Sequence, residues 1–301
     1  MVTIYSSSGN TKRLDFVGRH LFAGILGTEF QITSDRAFYL AQTGPCINYS
    51  KENLNRGLQI FPQGILFETG IHPVKDLNVS EWKGLFCFFY DGKGDIPFDL
   101  FAAAFYLLTL YEEYFPVQLD EHGRFDHNES LLFRNGVLEI PVVDRWAYML
   151  KEELGQTEDF RLRKYRAVST YDIDHPFLYR YKGMIKNTGG LLRDLLKWNF
   201  KGIKDRVSVQ LRLQEDPYLV AIQNIHTIQS QSHRPYYVFV LLGKRGKYGR
   251  TTFYSPKSYY RYLKNLDLVQ IGLHPSYDTL RNLAALLSEK TQLEHILGQE
   301  V

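Results

Sequence analysis

From residue 166 onward the chain follows one repeating order: a short apolar run, a polar junction, then a stretch with helical spacing. Arg166 to Tyr171, Tyr236 to Leu242 and Leu268 to Leu273 read as strands. Between and after them, Gly190 to Phe200, Pro217 to Gln231 with Asp216 as a natural cap, Pro256 to Leu266, and a long amphipathic run from Asp278 or Thr279 to Leu297 read as helices. Strands that alternate with helices imply βαβ units and parallel pairing, and this restricts the chain more than any other feature. Parallel α/β folds collect their reactive groups at the C-terminal ends of the strands, where the connecting loops converge.

The first half has a different grammar. Gly57 to Phe61, Gly64 to Phe67 and Leu85 to Tyr90, the last ending at Asp91-Gly92, read as strands of a small sheet. Asp15 to Leu26 has helical spacing. Phe98 to Phe115 is apolar almost all round and predicts a buried helix stopped by Pro116, and Pro141 opens a further helix that closes at Gly155. The expectation is an α/β protein with an α+β domain over 1–160 and a parallel α/β domain over 161–301. Charge divides at the same place. The formal net charge of the whole chain is only +3, yet residues 1–160 hold 13 Lys and Arg against 22 Asp and Glu, net −9, and the remainder is net +12. Such asymmetry points to distinct domains, a polyanionic partner, or intramolecular docking of the acidic domain on the basic one.

Several classes are excluded. A chain of 301 residues with 44% hydrophobic and 23% charged residues is neither disordered nor coiled-coil in composition. Cys46 and Cys87 are its two cysteines and lie in no metal-ligand or disulfide spacing, so buried free thiols are expected. The polar start, Met1 to Asn10, carries no charged segment followed by an apolar run, and no apolar stretch reaches membrane-span length. A cytoplasmic protein with no membrane span is expected.

Two strand ends carry the chemistry. The first holds Asp172, Asp174 and His175; the other holds His274, with Ser276 and Asp278 just beyond. Carboxylate oxygens with imidazole nitrogen suit a divalent metal such as zinc, and an unliganded carboxylate can serve as general base. The same residues also read as helix caps and turn formers, since an Asp-x-Asp pair is short and Ser276 or Asp278 can cap a helix.

The run Ser169-Thr170-Tyr171-Asp172-Ile173-Asp174-His175-Pro176, followed downstream by Ile271-Gly272-Leu273-His274-Pro275-Ser276, resembles the first two motifs of the polysaccharide deacetylase (carbohydrate esterase) superfamily. The first half resembles an amino-terminal domain that precedes such deacetylases in some bacterial proteins, at Pro97 to Ala102, Tyr111 to Tyr114 and Asp120 to Phe125. The resemblance implies a distorted (β/α) barrel, a divalent metal held by an Asp and two His, and removal of N- or O-acetyl groups from acetylated glycans or polysaccharides. It implies that Asp172 is the general base and that Asp174 and His274 are metal ligands. The family's second His stands four positions after the first, which here is Asp278, a residue type that also ligates zinc.

The family's Arg-bearing motif and late catalytic His have no counterpart before Val301, and about 140 residues remain where such barrels need roughly 200 or more. The expectation is a partial deacetylase-type barrel, from a truncated gene or with the remainder supplied elsewhere, and reduced or absent catalysis. His295 falls inside the last helical pattern as a surface or packing residue. Two further readings stay open. One is a non-catalytic binding or scaffold protein. The other is a phosphohydrolase of the haloacid dehalogenase type, which would use a strand followed by Asp-x-Asp. The basic residues Lys182 to Arg212 and the loop Lys244 to Arg250 suit phosphates or acidic sugars, but no nucleic-acid motif accompanies them, so no nucleic-acid partner is expected.

Overall fold

Val2–Tyr5 (β1) is a four-residue strand with every side chain buried, and it lies between Phe30–Thr33 (β2) and Cys46–Tyr49 (β3), with Leu58–Ile60 (β4) beyond β3. All three pairings are parallel. The α+β expectation for the first half therefore meets a parallel sheet. Strands this short, with β1 and β3 buried on both faces, leave no alternation to read in the sequence. The computed structural model describes residues 1–115, 118–155, 164–242 and 269–301, and the chain divides into two units, Met1–Tyr165 and Arg166–Val301.

In the first unit, Lys12–Gly18 continues as a π-helix over Arg19–Leu26, in agreement with the helical spacing there. Leu85–Cys87 (β6) forms a hairpin with Ser80–Trp82 (β5), turning through Lys83 and Gly84, both at positive φ. Gly64 to Phe67 is a turn rather than a strand, closed by the Phe67 N–H on the Gly64 carbonyl, with Ile65 and Leu66 buried. The apolar helix runs only over Leu100–Leu108. It ends well before Pro116, because Leu110 takes a left-handed conformation and a 3-10 turn follows at Tyr111–Tyr114. Asp99 caps this helix through the Ala102 N–H. The core gathers Phe88, Phe98, Phe101 and Trp146, whose indole N–H donates to the Phe86 carbonyl from the helix Val142–Glu153. Pro141 is the residue just before that helix.

The second unit holds Ser169–Ile173 (β7), Tyr236–Leu241 (β8) and Val269–His274 (β9) in one parallel sheet in that order. Pro217–Gln231 is the helix read from the sequence, with Asp216 capping it. Two helices, Met184–Leu196 and Phe200–Gln210, stand where one was expected. The last helix begins at Leu283 after a 3-10 turn over Tyr277–Thr279. The helix expected at Pro256 to Leu266 and the basic loop Lys244 to Arg250 lie outside the described residues. One sheet face, with Tyr236, Val238 and Val240, packs against Ile222, Leu293 and Leu297 of the flanking helices. Among the described residues the three strands do not close a complete barrel.

Candidate functional site

Register brings the strand ends together. Asp172 lies opposite Phe239, which lies opposite Gly272, so the three form one row across the sheet. The next row but one runs from Asp174 past Leu241 to His274, because Ile173 pairs with Val240 and Leu241 pairs with His274. Side chains alternate along a strand, so Asp172, Asp174 and His274 share the face opposite the one that carries Tyr236, Val238 and Val240. A side chain at Gly272 would lie 2.7 Å from the Phe239 ring, so this position leaves room for the neighbouring strand's aromatic group.

Asp174 and His274 are separated by β8, about 10 Å from strand to strand, and their side chains close that gap. His274 Nδ1 lies 3.0 Å from Asp174 Oδ1. The distance is that of an ion pair, but the alignment of a hydrogen bond is missing, and Nδ1 is buried with no hydrogen-bond partner among the described residues. His175 Nδ1 is in the same condition. Two buried imidazole nitrogens that make no hydrogen bond among the described residues, at the ends of β7 and β9, are unusual, because buried polar atoms nearly always find such partners.

A cavity of about 540 Å³ lies between β7, Tyr236 and Val238 of β8, and the helix Pro217–Gln231. Asp172, Asp174 and His175 line one part, and Tyr218, Ile222 and Ile225 of the helix Pro217–Gln231 line another. Polar groups meet an apolar wall there, a combination suited to a small organic ligand.

The junctions after both strands are fixed by residues that the sequence reading took only as caps or missed. Asp216 is wholly buried and accepts from the Leu178, Tyr179 and Arg180 N–H groups as well as from Tyr218 N–H, which ties the segment after His175-Pro176 to the helix start. Glu289 accepts from the Ser276 N–H at 3.0 Å and from its hydroxyl, which pins the turn after His274 to the last helix. Ser276 is thus an anchor rather than a cap. An Asp immediately before a proline-opened helix was a signal for Asp216; Glu289 had none, since a glutamate inside an amphipathic helix reads as surface.

Asp278 lies in the 3-10 turn and is exposed, and Asp172 and Asp174 are exposed too. Among the described residues no three His, Cys, Asp or Glu side chains form a group able to hold a metal ion. The donors Asp174 and His274 are brought together; a third is not. His295 is exposed on the last helix. Elsewhere, Glu112 accepts from the Leu131 N–H at 2.9 Å rather than pairing with Arg124, which binds Asp120, and burial pushes the Glu112 carboxyl up. Cys46 and Cys87 are free and buried, and burial lifts the Cys87 thiol to about 11, so it stays protonated near neutrality.

No helix among the described residues is long and apolar enough to cross a membrane. The model of DUF7033, a family of unknown function, matches residues 2–159. No curated protein and no solved structure matches the chain. The family match covers just over half of the sequence and nearly all of the first unit, and the chain therefore belongs to the DUF7033 family.

Proposed function

We propose that the second unit is a partial deacetylase-type (β/α) barrel and performs metal-assisted hydrolysis of acetyl groups on glycans. The observation that carries this reading is the approach of Asp174 and His274 to 3.0 Å across an intervening strand, with the imidazole nitrogen left without a hydrogen bond. A buried nitrogen without a hydrogen bond beside a carboxylate oxygen is donor chemistry that a divalent ion such as zinc takes up, and Asp174 and His274 supply two of the donors such a site needs. The Ser-Thr-Tyr-Asp-Ile-Asp-His-Pro and His-Pro-Ser runs that resemble deacetylase motifs supply the same two residues.

An ion held by Asp174 and His274, with Asp278 or another donor completing the set, would supply positive charge that draws electron density from the acetyl carbonyl. The chain's own residues supply the rest. Water's oxygen joins the acetyl carbon, the bond from that carbon to the sugar nitrogen or oxygen breaks, and acetate leaves. Asp172, on the same face as Asp174 and bordering the cavity, takes the proton from water and returns it to the freed amine or hydroxyl.

The test is acetate release from acetylated chito-oligosaccharides by the purified chain supplied with zinc. Asp172→Asn is expected to lower the rate about 100-fold or more while bound zinc stays unchanged. Asp174→Ala and His274→Ala are expected to lose zinc and activity together. A wild-type chain that binds no divalent ion and releases no acetate overturns the reading.

A further inference from the structure

The helices Met184–Leu196 and Phe200–Gln210 form a hairpin whose polarity is inverted. Met184–Leu196 turns Asn187, Gly190 and Asp194 toward Arg206 of the second helix: Arg206 bonds Asp194 at 2.9 Å and Asn187 at 3.2 Å, both Asp194 and Arg206 being buried. Its other side, spaced at i, i+1, i+8, i+11 and i+12, carries Met184, Ile185, Leu192, Leu195 and Leu196. These point outward: Ile185 is 89% exposed, Met184 87% and Leu196 72%. An ordinary helix on a folded domain buries its apolar stripe and exposes its polar one.

The turn between the helices extends the apolar side. Trp198 is 78% exposed and its ring meets that of Phe200, also exposed, at 5.9 Å. Around this apolar surface stand Lys186, Arg193, Lys197, Lys201 and Lys204, while Asp194 and Asp205 are the segment's two acidic residues and one of them is already paired with Arg206.

We propose that this hairpin is a docking surface for an anionic lipid bilayer. The charge is complementary to such a surface, and the apolar side chains suit the boundary between headgroups and acyl chains. Long lysine side chains beside them reach the phosphates while their stems stay in the apolar layer, and an indole next to lysines is the usual composition of an interface anchor. A nucleic acid would use the lysines but leave the leucine and isoleucine side chains in water. Nothing here requires a spanning segment, and no helix among the described residues is long and apolar enough to cross. In this arrangement the hairpin lies in the plane of the membrane surface and brings the strand-end cavity of the same unit to material carried there.

The test is flotation of the full chain with vesicles of phosphatidylcholine alone and with phosphatidylglycerol added, read together with tryptophan fluorescence. Binding only to the phosphatidylglycerol vesicles, weakened by salt, with a blue shift that Trp198→Phe abolishes, is the expected result. Replacing Lys197 and Lys201 together with Gln is expected to lower partitioning roughly 25-fold, at about fivefold per charge. Leu192→Asp with Leu196→Asp should abolish it, with circular dichroism unchanged because both positions are exposed. The proposal is overturned if no anionic vesicle is bound at low salt. It is equally overturned if Trp198 is already shielded from a soluble quencher in the lipid-free chain, or if the same substitutions dissolve a dimer that ignores vesicles.

Discussion

Asp99 has no exposed surface, and its carboxylate is held by the N–H groups of Ala102 and Gln63 and by the Tyr49 hydroxyl. Burial nonetheless dominates and lifts it to about 6, against the pull of those donors. In the unfolded chain it titrates near an ordinary carboxyl value of about 3.9. Between these two values the folded state holds the extra proton, so the stability this residue contributes is full below about pH 4 and is lost as pH rises through about 6. Urea unfolding from pH 4 to pH 7 should therefore show a falling component that Asp99→Asn flattens; an unchanged slope in that variant would refute the assignment. The Asp194–Arg206 pair behaves differently, because its guanidinium bonds hold Asp194 below the usual carboxylate range. Removing one partner strands the other, so Asp194→Ala is expected to destabilise by roughly 3 kcal/mol, whereas Asp194→Leu with Arg206→Met recovers most of it. Chemical denaturation of the three variants measures both effects.

At the scale of elements, the strands and helices with strong local signals were legible. The continuous apolar run at Tyr236–Leu241 and the Asp-capped, proline-opened helix Pro217–Gln231 stand where the sequence puts them. The strand-end residues Asp172, Asp174 and His274 were legible for the same reason, since parallel grammar fixes which end of a strand faces the loops. What escaped was set by contacts distant in sequence. Gly190 reads as a helix start, yet the helix runs straight through it: a side chain at Gly190 would lie 2.5 Å from the Arg206 guanidinium, so glycine is there to admit the arginine. The four-residue strands β1 to β3 were likewise invisible, because they are too short for periodicity and are defined by one another. The anchors of the site are predicted to matter as positioning residues. Glu289→Gln keeps an acceptor for the Ser276 N–H, and should leave zinc content near wild type, whereas Glu289→Ala frees the turn after His274 and is expected to lower zinc occupancy about tenfold, within the range seen when outer partners of a metal ligand are removed. Metal analysis after dialysis separates the two outcomes.

At the scale of the whole molecule, the described residues of the two units differ in how much apolar surface they enclose. Among the described residues the principal core of the first unit contains 32 buried residues, from Val2 to Leu150, while that of the second contains seven, from Phe177 to Leu297. Since burial of apolar area is the main favourable term in folding, the second unit is expected to be the weaker. Two thermal transitions should follow, the lower belonging to Arg166–Val301. Hydrogen exchange on the full chain identifies them: amides of β7 to β9 are expected to lose protection before those of β1 to β4. A ligand that binds only folded protein stabilises the unit that holds it, by about 2.7 kcal/mol at 100 times its dissociation constant. Zinc is accordingly expected to raise the lower transition and leave the upper one in place, and to do neither in His274→Ala. A zinc-dependent shift of the upper transition instead would locate the metal in the first unit and would remove Asp174 and His274 as its ligands.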